Sequence, residues 1–316
     1  MADLLDASKV IVLCTRNRPE ALAETLDGIA AHPPRAPAGL LVIDASDDPS
    51  LQQNQDRVDT FAACPSVHVP YTDTPSLPRQ RNHALDRLPP SVEIVHFIDD
   101  DVTVQDGYFD ALSRVLYAHP DVGGVGGVIT ESNVDVPAAS PSRLRRLFLL
   151  DHAEPGRVLP SGCASAAQTP ALPATGPRAT EWLSGCSSSY RRSLLDRHRF
   201  EPALTGYAML EDLDLSYRVG QDARLMVEPA ARLVHRRAPR NRWDAERYAH
   251  ALTVHRRWFV EKHFGGASSR AAYWWSLVGR LLAVATSSDP QRDAALRGLL
   301  RGIRTVWTRD HPLLRD

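Results

Sequence analysis

An apolar run that ends in three consecutive aspartates constrains the fold of this chain more than any other stretch. Residues 92–98 (VEIVHFI) are mostly apolar, which is typical of a strand buried on both faces in a mostly parallel α/β sheet. Asp99, Asp100 and Asp101 follow directly, at the edge where such sheets bind their ligands. The stretch therefore predicts an α/β protein with a ligand site at the end of this strand.

The three aspartates indicate a divalent cation. Successive side chains of an extended segment alternate, so Asp99 and Asp101 share one face and Asp100 takes the other. At about 5 Å and an effective dielectric near 20, each pair of carboxylates repels by about 3 kcal/mol, which a partly buried site sustains only with a cation or many donors. Mg2+ or Mn2+ is the natural counter-charge. The alternative is an exposed acidic turn that caps a helix beginning near Tyr108.

Length and charge divide the chain in two. At 316 residues with 43% hydrophobic content it can form one large domain and an appendage. The net charge of -1 hides an asymmetry, because residues 236–316 carry 16 Lys or Arg against 7 Asp or Glu. We therefore expect a main domain at 1–240 and a basic helical extension at 241–316 that meets something acidic.

Cysteine spacing and hydropathy suggest a cytoplasmic protein. The four cysteines lie far apart, which argues against a zinc site and a disulfide framework. The N-terminal residues do not resemble a secretory signal. No run reaches the roughly 18 to 20 apolar residues of a membrane span.

Two βα units precede the aspartates. A strand at 10–14 enters a turn with Arg16 and Arg18 and a helix at 19–31, which together offer backbone N–H groups and cations to a phosphate. An ordinary βα loop remains the alternative. A second strand at 40–43 ends at Asp44, where an acid can accept hydrogen bonds from a nucleoside.

The next elements lead to the strand of the aspartates and beyond it. We expect an edge strand at 67–70, a helix at 76–88 that carries Arg81, a helix at 108–119 and a strand at 122–129. Residues 152–180 are rich in Pro, Ala, Ser and Gly, which predicts either a functional lid or disorder.

Further polar groups follow in the last third of the main domain. A strand is expected at 181–186 before a short helix, and a helix at 210–220 carries Glu211, Asp212 and Asp214 in its first turn. Acids there stabilise a helix dipole, so their presence alone does not require a catalytic role. Two short strands at 224–227 and 233–235 end at His235, which is either structural or a ligand.

In order and spacing, these elements resemble the family 2 glycosyltransferases of the GT-A fold over residues 9–239. The resemblance rests on VIVLCTRNRP, the acid after strand two, LPRQRN, FIDDDV, WLSGCSSSYRR, and GYAMLEDLDLSYRVG followed by MVEPAARLVH. It implies a mixed, mostly parallel sheet flanked by helices. It also implies a nucleoside-diphosphate sugar donor, UDP or dTDP by family habit, and an inverting transfer to an acceptor hydroxyl assisted by Mn2+ or Mg2+.

The resemblance also implies roles for individual residues. The general base falls on Asp212 of the Glu211 and Asp212 pair, and His235 completes the metal site in some members. The nucleotide and metal contacts fall at the ends of the first, second and fourth strands and on the helix at 76–88: Thr15, Arg16, Arg18, Asp44, Arg81 and Asp99 for the donor, Asp100 for donor and metal, and Asp101 for the metal.

The acceptor side carries less information. Trp182, with Gly185 and Ser187 nearby, is expected as a wall for the sugar or acceptor, or else as a core tryptophan. This sequence has Ser187 to Ser189 where many relatives are richer in amides, and Gln80 where alanine is usual. These departures leave a saccharide, a lipid-linked molecule and a small molecule open as acceptors. Nucleic acid is not expected as a partner.

After residue 240 we expect three helices, at 243–264, 270–285 and 292–307. Trp274, Leu277, Val278, Leu281 and Val284 form one apolar face of the second. With the excess positive charge, this pattern suggests a peripheral contact with the inner face of the plasma membrane. A helical cap on the main domain or a homodimer contact is the competing interpretation and is the favoured one.

Two other functions remain in competition. A sugar-phosphate nucleotidyltransferase has a similar layout but needs a Gly-rich N-terminal loop with lysine, and this chain has only Lys9 and Lys262 and no such loop. A non-catalytic nucleotide-sugar-binding module would keep the sheet and lack turnover.

Overall fold

The structure is a computed structural model that describes residues 4, 6–131, 143–170, 175–205, 208–236 and 244–315. The chain divides into two compact units. The first unit comprises Met1–Asp135, Ala167–Gly206 and Glu211–Arg240, and the second comprises Val136–Ala166, Tyr207–Leu210 and Asn241–Asp316.

The first unit contains a single sheet, to which nine strands of the described residues belong. The strands are β1 (Lys9–Thr15), β2 (Ala38–Asp44), β3 (Ser66–Pro70), β4 (Ile94–Asp99), β5 (Val102–Val104), β6 (Val122–Glu131), β7 (Arg178–Thr180), β8 (Ser187–Arg191) and β9 (Arg224–His235).

Six helices of the described residues accompany the sheet, and four belong to the second unit. Those of the first unit are α1 (Pro19–Ala31), α2 (Ser50–Asp59), α3 (Leu77–Leu85), α4 (Tyr108–Ala118), α6 (Arg192–Arg197) and α7 (Glu211–Asp222). Those of the second are α5 (Arg143–Leu147), α8 (Ala245–His263), α9 (Ala267–Ala285) and α10 (Arg292–Thr308), followed by a 3-10 turn (Pro312–Leu314).

The strand order β3-β2-β1-β4-β8-β6-β9-β5 explains where ligands can meet. The first four strands run parallel, β8 is antiparallel to both β4 and β6, and β9 is parallel to β6. In register, Thr15 lies beside Asp44, and Cys14 lies beside Asp99. The carboxyl ends of β1, β2 and β4 therefore form one edge, as the sequence predicted.

The sheet is buried on both faces. Val10 and Val12 of β1 pack in one apolar cluster, and Ile11 and Leu13 pack in another. β4 divides its side chains between the same two clusters. Because alternate residues of a strand point to opposite faces, both sides are covered, and this confirms the mixed, mostly parallel α/β fold.

One predicted strand was wrong. We expected a strand at 181–186, but the strand here is β8, which begins at Ser187. Its serines are buried because their hydroxyl groups find partners: Ser187 Oγ lies 2.7 Å from the Tyr108 hydroxyl, and Ser189 Oγ lies 2.6 Å from His96 Nδ1. Apolar composition alone therefore misplaced the strand.

Two further elements differ from the sequence prediction. The segments at 224–227 and 233–235 are parts of one strand, β9, whose pairing with β6 shifts between Gly127 and Val128. Pro229 lies in the shifted part and has no N–H for the ladder. Helix α2 was not predicted, because its sequence SLQQNQDRVD carries only two apolar side chains.

The second unit has a core of its own. It is built from Val254, Val260, Tyr273, Leu277 and Leu299 with neighbouring apolar residues. Trp274, Leu281 and Val284 pack against this core, whereas Val278 is 43% exposed. Most of the apolar face predicted for this helix therefore stabilises the helical unit itself. Among the helices in the described part of the chain, none has the length and apolar character needed to cross a membrane.

Candidate active site

Asp100 is held inside the protein by the loop after β1. The Thr15 hydroxyl donates to its Oδ2 at 2.6 Å, and Arg18 Nη1 donates to its Oδ1 at 3.0 Å. Burial raises the pKa of Asp100 to about 6, although the charge of Arg18 and the hydrogen bond from Thr15 act in the opposite direction. The buried Asp100 carboxylate thus joins the loop between β1 and α1 to the end of β4.

Asp99 and Asp101 come together with His235, although Asp100 and Asp101 lie in a turn after β4 and Arg18 Nη1 is also 3.6 Å from Asp101 Oδ2. One oxygen of each carboxylate and one imidazole nitrogen of His235 lie within 4.8 Å of one another. His235 Nε2 is 3.1 Å from Asp101 Oδ1. Two carboxylate oxygens and an imidazole nitrogen suit a divalent cation such as Mn2+. The geometry brings Asp99 rather than Asp100 to this group.

Arg81 connects the aspartates to helix α7. Its Nη2 donates to Asp99 Oδ1 at 3.1 Å and to the Gly185 carbonyl at 3.0 Å, and its Nη1 donates to Glu211 Oε1 at 2.8 Å. The side chain is buried. Burial alone lowers the pKa of Arg81, but the charges of Glu211 and Asp99 outweigh it and raise the pKa. Arg81 is therefore a permanent cation between two acids.

Glu211 and Asp212 lie in the first turn of α7 and differ in their surroundings. Glu211 is buried, and burial raises its pKa to about 8 against the lowering effect of Arg81. Asp212 is partly exposed, and its carboxylate accepts hydrogen bonds from the backbone N–H groups of Gly185 at 3.0 Å and Leu213 at 2.8 Å. The loss of water around the part of this side chain that is buried raises the pKa of Asp212, while the two hydrogen bonds lower it.

Gly185 allows this close arrangement. A Cβ atom at this position would lie 2.6 Å from Arg81 Nη1 and 3.1 Å from Glu211 Oε1. Gln168 holds the segment 184–187, which contains Gly185. Its Oε1 accepts from the Ser184 N–H at 2.6 Å, and its Nε2 donates to the Ser187 carbonyl at 2.6 Å. A side chain at Gly185 would force the arginine or the acid to move.

A cavity of about 250 Å³ joins these groups. Its wall includes the guanidinium of Arg81, four carboxylates and the imidazole of His235, beside apolar and backbone surfaces. The lining residues are Leu77, Arg81, Asp99, Ile129, Glu131, Ser184, Gly185, Cys186, Glu211, Asp212 and His235.

Asp44 forms a separate polar group at the end of β2. Its Oδ1 accepts from the Ser46 N–H at 2.8 Å, and its Oδ2 accepts from Asn54 Nδ2 at 2.8 Å and lies 3.0 Å from His68 Nε2. Asn54 and His68 were not predicted as site residues. Asn54 lies on the helix that the sequence did not reveal, and His68 lies on the edge strand β3.

Three more predicted contacts do not line the cavity, in addition to Thr15, Arg18, Asp44, Asp100 and Asp101. Trp182 is partly buried and packs against one of the apolar clusters of the sheet. Ser187 is fully buried, where its Oγ accepts from the Gly127 N–H at 3.0 Å. Arg16 is exposed. Gly185 alone of the three acceptor-side residues lines the cavity.

The sequence matches the family model described as "Glycosyl transferase family 2" over residues 10–198, more than half of the chain. A search of curated proteins finds no match.

Two solved structures are similar in fold. The crystal structure of GalNAc-T7 with UDP, GalNAc and Mn2+ shares 14% identity at a TM-score of 0.58, over 86% of this chain and 55% of that chain. Mannosyltransferase PcManGT from Pyrobaculum calidifontis in complex with GDP-Man and Mn2+ shares 19% identity at a TM-score of 0.55, over 97% of this chain and 84% of that one. This chain thus spans about half the length of the GalNAc-T7 chain. These likenesses confirm the GT-A fold.

Proposed function

Because this chain belongs to glycosyltransferase family 2, we propose that it transfers a sugar, with inversion, from a nucleoside-diphosphate donor to an acceptor hydroxyl. The observation that carries the proposal is that Asp99 and His235 line the same cavity as Arg81 and Asp212, while a carboxylate oxygen of Asp101 lies within 4.8 Å of their ligand atoms. In this proposal a candidate cation site, a fixed positive charge and a candidate base surround one space. Such groups assist departure of a diphosphate and deprotonation of a hydroxyl.

The nucleoside end of the donor is assigned to the neighbouring strand ends. Thr15 and Arg18 bind Asp100, while Asp44 is supported by Asn54 and His68. A buried carboxylate with fixed orientation can accept hydrogen bonds from a base or ribose. Arg16, Asp99 and Asp100 remain predicted donor contacts.

The metal ligands are proposed as Asp101 and His235 with one further carboxylate. The distances favour Asp99 as the third ligand, whereas the family resemblance implied Asp100. A bound Mn2+ or Mg2+ would supply positive charge to the two phosphates as the nucleoside diphosphate leaves the sugar carbon. Arg81, held by Glu211 and Asp99, keeps a permanent positive charge at the same side of the cavity.

Asp212 is proposed as the general base. The N–H groups of Gly185 and Leu213 hold its carboxylate at the cavity wall. An Asp212 oxygen takes the proton of the acceptor hydroxyl while the hydroxyl oxygen bonds to the sugar carbon and the bond to the diphosphate breaks. A single displacement of this kind inverts the anomeric carbon. Glu211 acts as a positioning residue, since its carboxylate is committed to Arg81.

The partners follow from this assignment. The donor is proposed as a UDP or dTDP sugar and the acceptor as a saccharide, a lipid-linked molecule or a small molecule. A hexosyl group, a cytoplasmic location, and a homodimer or membrane contact through residues 241–316 remain predictions. Family membership favours glycosyl transfer over nucleotidyl transfer, and measured turnover would distinguish an enzyme from a binding module.

A thermal-shift panel tests the donor site. The full chain is melted with UDP, dTDP and GDP, each with and without Mn2+. We expect one nucleoside diphosphate to raise the melting temperature, and to do so only with Mn2+, because ligands that bind the folded state stabilise it. The Asp101→Asn variant is the matched control and should lose the metal-dependent part. If none of the three combinations with Mn2+ changes the melting temperature, the proposed donor site is wrong.

A further inference from the structure

Helix α9 of the second unit exposes apolar side chains along one side. Trp275, Val278 and Leu282 are 45%, 43% and 48% exposed, and their spacing places them in one row along the helix. Tyr273 and Leu277 face the core of the unit instead. Between residues 271 and 285, none of the exposed residues of α9 is charged. The helix is therefore apolar on two sides, and only one of them packs against the core.

Helix α5 extends this row. Leu144 and Leu147 are each 61% exposed. Trp275 Nε1 donates to the Leu147 carbonyl at 2.8 Å, and the rings of Phe148 and Trp275 are in tilted contact with centroids 4.9 Å apart. The exposed side chains of the two helices thus belong to one surface. We call Leu144, Leu147, Trp275, Val278 and Leu282 the α5/α9 face.

The small size of Gly279 allows helix α9 to pack closely against Phe148, which follows α5. A Cβ atom at this position would lie 2.2 Å from Phe148 Cβ, far inside van der Waals contact. The absence of a side chain there lets Phe148 lie directly on α9, which brings the exposed leucines of α5 beside Trp275. The α5/α9 face is therefore part of the packed unit.

Positive charge accompanies the apolar side chains. Arg143, Arg145 and Arg146 alternate with the two exposed leucines on α5, and all three arginines are exposed. Arg145 is 3.6 Å from Asp151, in an ion pair at the surface. By sequence, the second unit contains 17 Lys or Arg against 9 Asp or Glu, although the whole chain is nearly neutral. The unit thus carries an excess of positive charge, and three of its arginines lie beside the exposed leucines of α5.

We propose that the α5/α9 face binds the surface of an anionic lipid bilayer. Its leucines, valine and tryptophan would enter the boundary between headgroups and acyl chains, and the arginines would meet the lipid phosphates. The association lies in the plane of the membrane, because the described part of the chain offers no helix able to span one. The charge complements anionic lipid, whereas zwitterionic lipid offers only the apolar contribution.

A second copy of this chain is the less favoured occupant. A symmetric contact pairs a patch with the same patch on the partner, so both sides would bring Arg143, Arg145 and Arg146 to the interface. Like charges at an interface cost free energy unless acids intervene; Asp151 pairs with Arg145, but α5 itself contains no acid beside Arg143 and Arg146. An anionic bilayer meets the same surface with opposite charge.

Vesicle flotation with the full chain tests the proposal. Vesicles of phosphatidylcholine alone are compared with vesicles of phosphatidylcholine and phosphatidylglycerol in equal parts. We expect binding only to the second, weakened at least about tenfold by V278S/L282S, which removes exposed apolar surface. R143Q/R146Q should weaken it by about 25-fold, since each arginine near a charged surface contributes about fivefold. Tyr117→Ser, which removes a side chain 51% exposed on α4, is the matched control and should bind normally.

The results of these experiments distinguish an anionic membrane from a second copy of the chain as the partner of the α5/α9 face. The substituted side chains are exposed, so unchanged thermal melting is expected and is measured for each variant. Absence of binding to the anionic vesicles, or equal binding by the wild type and both double variants, overturns the proposal. Light scattering at several concentrations covers the other case: a dimer that V278S/L282S dissociates, without vesicle binding, would assign the face to a second copy.

Discussion

Arg81 Nη1 donates a hydrogen bond to Glu211 Oε1 over 2.8 Å, although 130 positions separate the two residues in the sequence. The same guanidinium reaches Asp99 and the Gly185 carbonyl. Helix α3, the end of β4, the segment before β8 and the start of α7 therefore converge on one buried cation. The arrangement of these groups in the wall of the cavity therefore depends on the side chain of Arg81.

At about pH 9, where a Glu211 carboxyl with a pKa of about 8 is ionised, replacing Arg81 by Met should destabilise the protein by about 3 to 5 kcal/mol, because the buried carboxylate loses its counter-charge. Urea unfolding measures the loss. Adding Glu211→Gln to Arg81→Met should recover part of it, because the unpaired charge is then removed. Arg79→Met is the matched control, since Arg79 is exposed on the same helix, and it should change stability by less than about 1 kcal/mol. An equally small effect of Arg81→Met would contradict the buried ion pair.

The three aspartates should respond differently to Asn substitution. Asp99→Asn and Asp101→Asn should weaken Mn2+ binding at least about tenfold, because each removes a charged oxygen from the cluster with His235. Asp100→Asn should retain Mn2+ binding and lose stability, because its partners are Thr15 and Arg18. Titration calorimetry with Mn2+ measures the first effect and urea unfolding the second. Loss of Mn2+ binding in Asp100→Asn, with Asp99→Asn unaffected, would favour the ligand set predicted from the sequence.

Asp212→Asn should reduce kcat by about 100-fold to 10,000-fold, the range of a general base, while donor affinity remains. The amide keeps the shape of the carboxylate but cannot take the acceptor proton. Asp214→Asn is the matched control: this acid of the same helical turn is buried and pairs with Arg218 at 2.8 Å, so its loss should lower stability. A kcat for Asp212→Asn within about threefold of the wild type would exclude Asp212 as the base.

The sequence was sufficient for the elements with a strong pattern. Strand β1 and helix α1 were predicted because an apolar run meets Pro19 at the first turn, followed by the buried row Leu22, Leu26 and Ile29. The aspartates were placed correctly at the sheet edge because β4 is buried on both faces. In these elements, local pattern and tertiary packing agree.

The sequence was insufficient where polar groups are buried by partners distant in the chain. Asn54 lies on a helix with almost no apolar row, yet its side chain is fully buried against Asp44. Gln168 lies in the long Pro- and Ala-rich segment, yet it fixes the segment that carries Gly185. Such contacts depend on where other strands and helices bring acceptors and donors, which periodicity does not encode.

His96 should make the protein less stable in acid. It lies in the middle of β4, with Nδ1 2.6 Å from Ser189 Oγ, and burial, with a smaller contribution from Lys9, lowers its pKa from 6.5 to about 3. The unfolded chain therefore binds a proton at a higher pH than the folded chain does. The stabilisation is complete above about pH 6.5 and is lost as the pH falls toward 3.

Urea unfolding between about pH 7 and pH 4 tests this sign, with His96→Gln compared against the wild type. Gln removes the titrating ring, so the difference between the two free energies of unfolding should shrink by up to about 1.4 kcal/mol for each pH unit below about 6. His119→Gln is the matched control, because His119 is exposed at the end of α4, and it should leave the acid slope of the wild type unchanged. Parallel acid slopes for His96→Gln and the wild type would mean that this ring is protonated in the folded protein. The hydrogen bond with Ser189 would then have a charged donor.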